Sequence, residues 1–288
     1  MRFNNVLTRM LGIEYPIIQG AFGGKGTGTS KIAVPVSEAG ALGILTTISY
    51  KSPDEFQEDI RHAKTKTDKP FAVNFTLMKD TKYDNDFHKE YLKITLAEGV
   101  QTIFTSAYDG SFIGRIAKDA GCNWIHKCAT IKHAISIAEK GVDAIVIVGL
   151  EGTGYKSPEQ NTTLINMTAA KRLINVPLIA AGGIGDARGF IAALAMGASG
   201  IYMGTSFMAT KEFQASDTLK HKIVKQEITD SKYCKRVYGL EHGGAHSLAS
   251  GVITSVQSVK EYIKTMIQEA EEIMSEFKQW GMCDTDHS

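Results

Sequence analysis

The 288 residues carry 32 Lys and Arg against 31 Asp and Glu, with 43% apolar and 22% charged residues. That near-neutral balance removes the electrostatic grounds for a nucleic-acid or membrane-surface partner. No apolar run reaches the about 18 residues that a membrane span needs. The cysteines at 122, 128, 234 and 283 form no C-x-x-C pair, which argues against a zinc ribbon or redox pair and for reduced thiols in a cytoplasmic setting.

Taken in order, the chain repeats one phrase. Ile17-Ile18-Gln19 reads as a short buried strand, β1, near 16–20, and Gly40 leads into β2 near 42–47. Pro53-Asp54-Glu55 opens a helix with acidic side chains at its positive end. Phe71-Ala72-Val73-Asn74 marks β3 near 70–75, and Gly99 leads into β4 near 101–105. Phe112, Ile113, Ile116, Ala117 and Ala120 then share one helix face. Gly121 opens β5 near 123–127, Ile131, Ala134, Ile135 and Ala138 line the next helix, and Gly141 opens β6 near 143–149. Pro177-Leu178-Ile179-Ala180 marks β7 near 177–181, and Gly197 precedes β8 near 200–204.

Each such glycine supplies the left-handed residue that ends a helix. Each apolar run suits a strand covered on both faces. Strict alternation implies parallel strands with right-handed crossovers, and eight units close into a (β/α)8 TIM barrel, an α/β fold. Beyond β8 the pattern loosens over 210–250 and resumes over 255–279. There Val256, Val259, Ile263, Met266, Ile267, Ala270, Ile273, Met274 and Phe277 share a face. Three regions follow: the barrel over 1–210, the final barrel helix with an active-site cover over 211–254, and a C-terminal helix packed on the barrel over 255–288. A heptad seam joining two copies in a homodimer is the alternative for that last helix.

Barrel enzymes place their sites at the C-terminal ends of the strands. Here those ends are small or polar, the strongest being Ala181-Gly182-Gly183-Ile184-Gly185-Asp186 after β7 and Gly204-Thr205 after β8. Glycines on consecutive strands let main-chain N–H groups close on a phosphate beside a helix N-terminus. The alternative is a pair of plain glycine turns with Asp186 as a helix cap. No Lys-Ser/Thr follows, so it is not a P-loop, and the spacing from Gly183 is one residue too long for a dinucleotide fingerprint. Lys127, ending β5, is placed to meet an anion at the mouth, or else lies snorkelling at the rim. His126 should point the other way, as a structural residue. Glu241-His242-Gly243-Gly244-Ala245-His246 has the wrong order and too much glycine for a helical zinc site, so no metal is expected there.

Across nearly its whole length the sequence resembles the nitronate monooxygenase family, with its enoyl-ACP reductase II and NADH:quinone reductase relatives. The matching segments include Tyr15-Pro-Ile-Ile-Gln-Gly20, Pro70-Phe-Ala-Val-Asn74, Ile125-His-Lys-Cys128, Ala180-Ala-Gly-Gly183, Ala192-Ala-Leu-Ala-Met-Gly-Ala198 and Met203-Gly-Thr-Ser-Phe-Met-Ala209. The resemblance implies non-covalent FMN, held by Gln19, Gly20, Ala21, Asn74, Lys127, Gly152, Ala181, Gly182, Gly183, Gly204 and Thr205. It also implies NADH or NADPH as reductant and a small-molecule substrate.

The β6 loop departs from the family. Glu151-Gly152-Thr153-Gly154-Tyr155 puts tyrosine where the family's catalytic histidine stands. Tyr155 is then the expected catalytic residue, as a donor rather than a base. Met78 also replaces a proline of the quinone-reductase branch. The expected activity is FMN-dependent, NAD(P)H-driven reduction of an activated C=C bond or quinone. The alternatives are nitronate oxidation, a flavin-binding accessory protein without turnover, and a flavin-free phosphate-binding isomerase or lyase.

Overall fold

The computed structural model describes residues 3–79, 81–239 and 246–280. The strands are Ile17–Gln19 (β1), Gly43–Thr46 (β2), Phe71–Leu77 (β3), Thr102–Ala107 (β4), Asn123–Cys128 (β5), Ala144–Val148 (β6), Leu178–Ala181 (β7) and Gly200–Met203 (β8). All ladders are parallel, in the order β1-β8-β7-β6-β5-β4-β3-β2.

The two ends of that order meet. Ile18 bridges Leu42, with Gln19 N donating to Leu42 O at 2.9 Å and Leu42 N to Ile17 O at 3.0 Å. The Gln19 side chain extends this short seam. Its Oε1 accepts from Ile44 N at 3.1 Å, and its Nε2 donates to Ile44 O at 3.0 Å and Gly20 O at 3.1 Å. The sheet is therefore a (β/α)8 TIM barrel, closed at β1–β2 partly by one side-chain amide.

Alternation along the strands sorts two cores. Ile18, Ile44, Ala72, Phe104, Ile125, Val146, Ile179 and Tyr202 fill the barrel interior as one cluster. Ile17, Leu45, Val73, Ile103, Trp124, Ile147, Leu178 and Ile201 face outward beneath the helices. Gly40, Gly99, Gly121, Gly141 and Gly197 all take φ between 74° and 94°, the helix-ending conformation expected of them.

The last helix changes the domain organisation expected from sequence. Val259–Gln279 buries Val259, Ile263, Met266, Ile267, Ala270 and Ile273, and it packs between Ala187–Ala195 and Ser30–Glu38. That is the slot between the seventh and first helices of the ring, so this helix is itself the eighth ring helix. Its apolar face is taken up within the chain, where a seam for a second copy was the alternative. The shorter helices Asp217–Val224 and Ser231–Tyr238 belong to an insertion between β8 and the helix it feeds. The reason is packing: the continuous apolar stripe from Val259 to Ile273 fits against Ala187–Ala195 on one side and Ser30–Glu38 on the other. Among the described residues, no helix is long and apolar enough to cross a membrane.

Candidate active site

The loops after β1, β6, β7 and β8 bring bare backbone together at the barrel mouth. A β-carbon on Gly20 would lie 2.8 Å from Gly204 Cα, and one on Gly152 would lie 3.2 Å from Gly182 Cα. Gly182 and Gly183 adopt φ of 98° and 75°, conformations that side chains resist. Gly204 faces open space, with no atom within 4 Å of a built β-carbon. The N–H groups of Gly182, Gly183 and Gly204 donate to no described residue. Exposed donors on adjoining loops are what an anion needs.

The scaffold around them is tied down. Glu151 accepts at 2.9 Å from both the N–H and the hydroxyl of Thr163, capping the helix that follows β6. Its carbonyl also accepts from Leu248 N at 3.0 Å. Thr205 Oγ1 accepts from Ser247 N at 2.8 Å and pairs with Ser247 Oγ at 2.9 Å. Thr205 therefore anchors the insertion through its side chain. Ala181 O accepts from Gly149 N at 2.8 Å, and Ala21 N donates to the Tyr202 hydroxyl at 2.5 Å. Gln19 is engaged with β2 and does not join the mouth through its amide. Asn74 sits on an interior position, donates to Thr76 Oγ1 at 2.9 Å, and leaves its buried Oδ1 without a partner; Thr46 Oγ1, in register with it, is also unpartnered.

Lys127 projects from β5 on the interior side, level with Ser106 and Val146. It makes no ion pair or hydrogen bond with any described residue. Burial pulls its pKa down to about 8, and the Lys156 ammonium adds to the effect. Lys156 is also depressed by burial, and it clamps the β6 loop by donating to Leu150 O at 2.6 Å and Gly152 O at 3.0 Å. His126, as expected, points outward. It is fully buried, bonded to Thr105, and held neutral at about 3 chiefly by that burial.

Tyr155 lines a cavity of about 250 Å³ with Ala107, Tyr108, Ala129, Thr130 and His133. This cavity belongs to the β4, β5 and β6 ends, and none of the β7 or β8 glycines borders it. Tyr155 packs edge-on against Tyr108 at 5.1 Å. Burial, then a hydrogen bond with Tyr108, push its pKa up to about 12. Lys79 Nζ lies 4.7 Å from the Tyr108 ring on its own account. Ala107, next in chain, takes φ 75°, the one non-glycine left-handed residue among those described.

Sequence reasoning missed Tyr108, Tyr202 and Ser247. Alternation along β8 could have placed Tyr202 inside, but nothing local marks Ser247. Residues 241–245, where the Glu-His-Gly-Gly run was weighed, lie outside the described residues.

These features describe a (β/α)8 barrel whose strand C-terminal ends carry both the bare glycine backbone and the Tyr155 cavity. The chain matches the nitronate monooxygenase family over residues 4–279 and belongs to that family. It is 33% identical over 244 residues to a Mycobacterium tuberculosis 5-hydroxy-7a-methyl-1-oxo-octahydro-1H-indene-4-carboxyl-CoA dehydrogenase, across 84% of this chain. The chain spans only 66% of that protein and 64% of its Rhodococcus jostii counterpart. A probable nitronate monooxygenase of Staphylococcus aureus is 29% identical over 273 residues, covering 82% of this chain and 76% of that one. Among solved structures, FabK from Thermotoga maritima superposes with a TM-score of 0.84 at 28% identity, covering 96% of this chain and 99% of that one.

Proposed function

We propose that this protein is an oxidoreductase that binds FMN at the β7–β8 mouth and uses NADH or NADPH to reduce an activated C=C bond or a quinone-type acceptor. One observation carries the cofactor: the N–H groups of Gly182, Gly183 and Gly204, at a mouth that also holds the Lys127 ammonium, all without a partner among the described residues. A phosphate monoester satisfies both. The buried, unpartnered Asn74 Oδ1 suits a ring N–H donor, as a flavin has. Gly20, Ala21, Gly152, Ala181 and Thr205 would shape the cradle through backbone, with Thr205 held in place by Ser247. When bound, FMN supplies the hydride-transferring ring.

The chain's own contribution to the substrate is Tyr155. A phenol held at about 12 keeps its proton across the physiological range, so it can donate to a developing oxyanion or enolate but cannot serve as a base. This ranks nitronate oxidation, with the family's usual imidazole, second. The Tyr155–Tyr108 pair and its cavity give the substrate a place beside that donor.

Denaturing the purified protein and chromatographing what is released tests the cofactor. FMN is expected; FAD, or a colourless protein, would overturn the assignment. Anaerobic mixing with NADH and with NADPH then tests turnover. Bleaching of the flavin by either is expected, and its absence with both would leave an accessory flavoprotein.

A further inference from the structure

The outer face of β5 carries a second cluster, on the far side of the strand from Lys127. Alternation sends His126 and Cys128 to the same face. Thr130 caps the next helix by accepting from His133 N at 3.2 Å, and this turn brings His133 back over the strand. The ligating atoms of His126, Cys128 and His133 all lie within 4.8 Å of one another. His126 and Cys128 are fully buried. His126 Nε2 has no hydrogen-bond partner, and Cys128 is a free thiol.

We propose that His126, Cys128 and His133 bind one zinc-class cation through two nitrogens and a thiolate. Tetrahedral bonds of about 2.0–2.3 Å set ligands about 3.3–3.8 Å apart, so rotamer adjustment of about 1 Å closes the site. The orphaned His126 nitrogen is the independent sign. A buried ring nitrogen without a partner is costly, and a cation supplies what the protein does not.

The surroundings favour the tautomer a metal needs. His126 Nδ1 lies 2.6 Å from Thr105 Oγ1, which already accepts from Trp124 Nε1 at 2.7 Å. With the cation on Nε2, Nδ1 carries the proton and donates to Thr105, the supporting contact that orients metal-bound imidazoles. His133 also borders the cavity that holds Tyr155. The site thereby ties the helix Ile131–Ala138 to β5 and sits behind the wall of the cavity, apart from the glycine loops.

The full-length purified protein, cleared of metal by a chelator, would be titrated with Co(II) and followed by difference absorption against the metal-free sample. One Co(II) per chain, a thiolate-to-cobalt charge-transfer band, and displacement by one Zn(II) are expected. Cys128→Ser should abolish the band. Because Cys128 is buried and its variant can misfold, His133→Gln and Thr105→Val are run beside it. The first, on a half-exposed side chain, should weaken Co(II) binding at least about 10-fold, and the second by about 10–100-fold with the band retained. Zn(II) should raise the wild-type melting temperature more than that of His133→Gln. No saturable band, or a band that survives in a folded Cys128→Ser protein, overturns the site. Flavin content measured on the same samples keeps this result separate from the FMN assignment.

Discussion

Replacing Lys127 with methionine probes the charge at the mouth with little change of volume. Burial lowers the lysine from 10.5 to about 8, which corresponds to about 3 kcal/mol favouring the neutral amine in the flavin-free protein. An FMN phosphate pairing with Lys127 would restore the charged form and raise that pKa. Phosphate monoesters complete their second ionisation near pH 6, so above pH 7 only the lysine titrates. The wild-type dissociation constant for FMN should therefore rise about tenfold between about pH 7 and pH 9, the span in which the free site loses its proton. Lys127→Met should lose this slope and bind about 10–10²-fold more weakly at pH 7, the scale of one hydrogen bond to a charged group. The sign for stability is opposite. A lysine whose folded pKa is depressed destabilises the fold while it is charged, and stability rises as pH climbs from about 8 toward its unfolded value. Flavin-free Lys127→Met should accordingly melt higher than wild type at pH 7. Quenching of FMN fluorescence on titration into deflavinated protein, across pH, measures the first effect. A flat wild-type profile, or a variant that keeps the slope, would refute the pairing.

Gly204→Val should fold normally, since a β-carbon there meets nothing within 4 Å and φ is −97°, yet it should weaken FMN binding at least about tenfold by filling the approach to the N–H groups. Circular dichroism and flavin content separate the two effects, and full flavin content in the folded variant would move the cradle elsewhere. Tyr155→Phe should leave FMN content and reduction by NAD(P)H intact but slow the oxidative half-reaction by about 10²-fold or more; stopped-flow traces matching wild type in both halves would make the phenol a bystander. Tyr155→His restores an imidazole with a pKa near 6.5, and nitronate turnover appearing in that variant alone would show a barrel altered at one position. Gln19→Leu removes both amide bonds to Ile44 and should cost about 2–4 kcal/mol, read as a lower urea midpoint with an unchanged slope; an unmoved midpoint would mean the seam closes without it.

The strand positions were legible because their cues are local: a helix-ending glycine, then an apolar run buried on both faces. Every predicted strand lies within two residues of the observed one. The glycines after β7 and β8 were legible for the same reason. The eighth ring helix was not, because its slot is defined by Ser30–Glu38, more than two hundred residues earlier, and a helical stripe does not say what it will cover. Gln19 looked like a mouth residue from its place after β1, but the seam with β2 has few main-chain bonds and takes its amide. Ala107 gave no warning of its left-handed backbone, since alanine is no cue for one. Thr205 was read as a cofactor contact, whereas its hydroxyl serves Ser247, a pairing across 42 positions that no local pattern encodes.

The way the ring closes also sets a clock for the newborn chain. β1 has no partner for one edge until β8 exists, and Ile32 and Val36 of the first ring helix share a core with Val259 and Ile263. At about 5–20 residues per second, roughly 10–50 s separate the emergence of the first strand from that of the helix that shields its neighbour. Through that interval the amino-terminal third presents an open sheet edge and a greasy helix flank to whatever is nearby. The barrel is thus assembled last where it was begun first, and its vulnerable moment belongs to synthesis rather than to the finished fold.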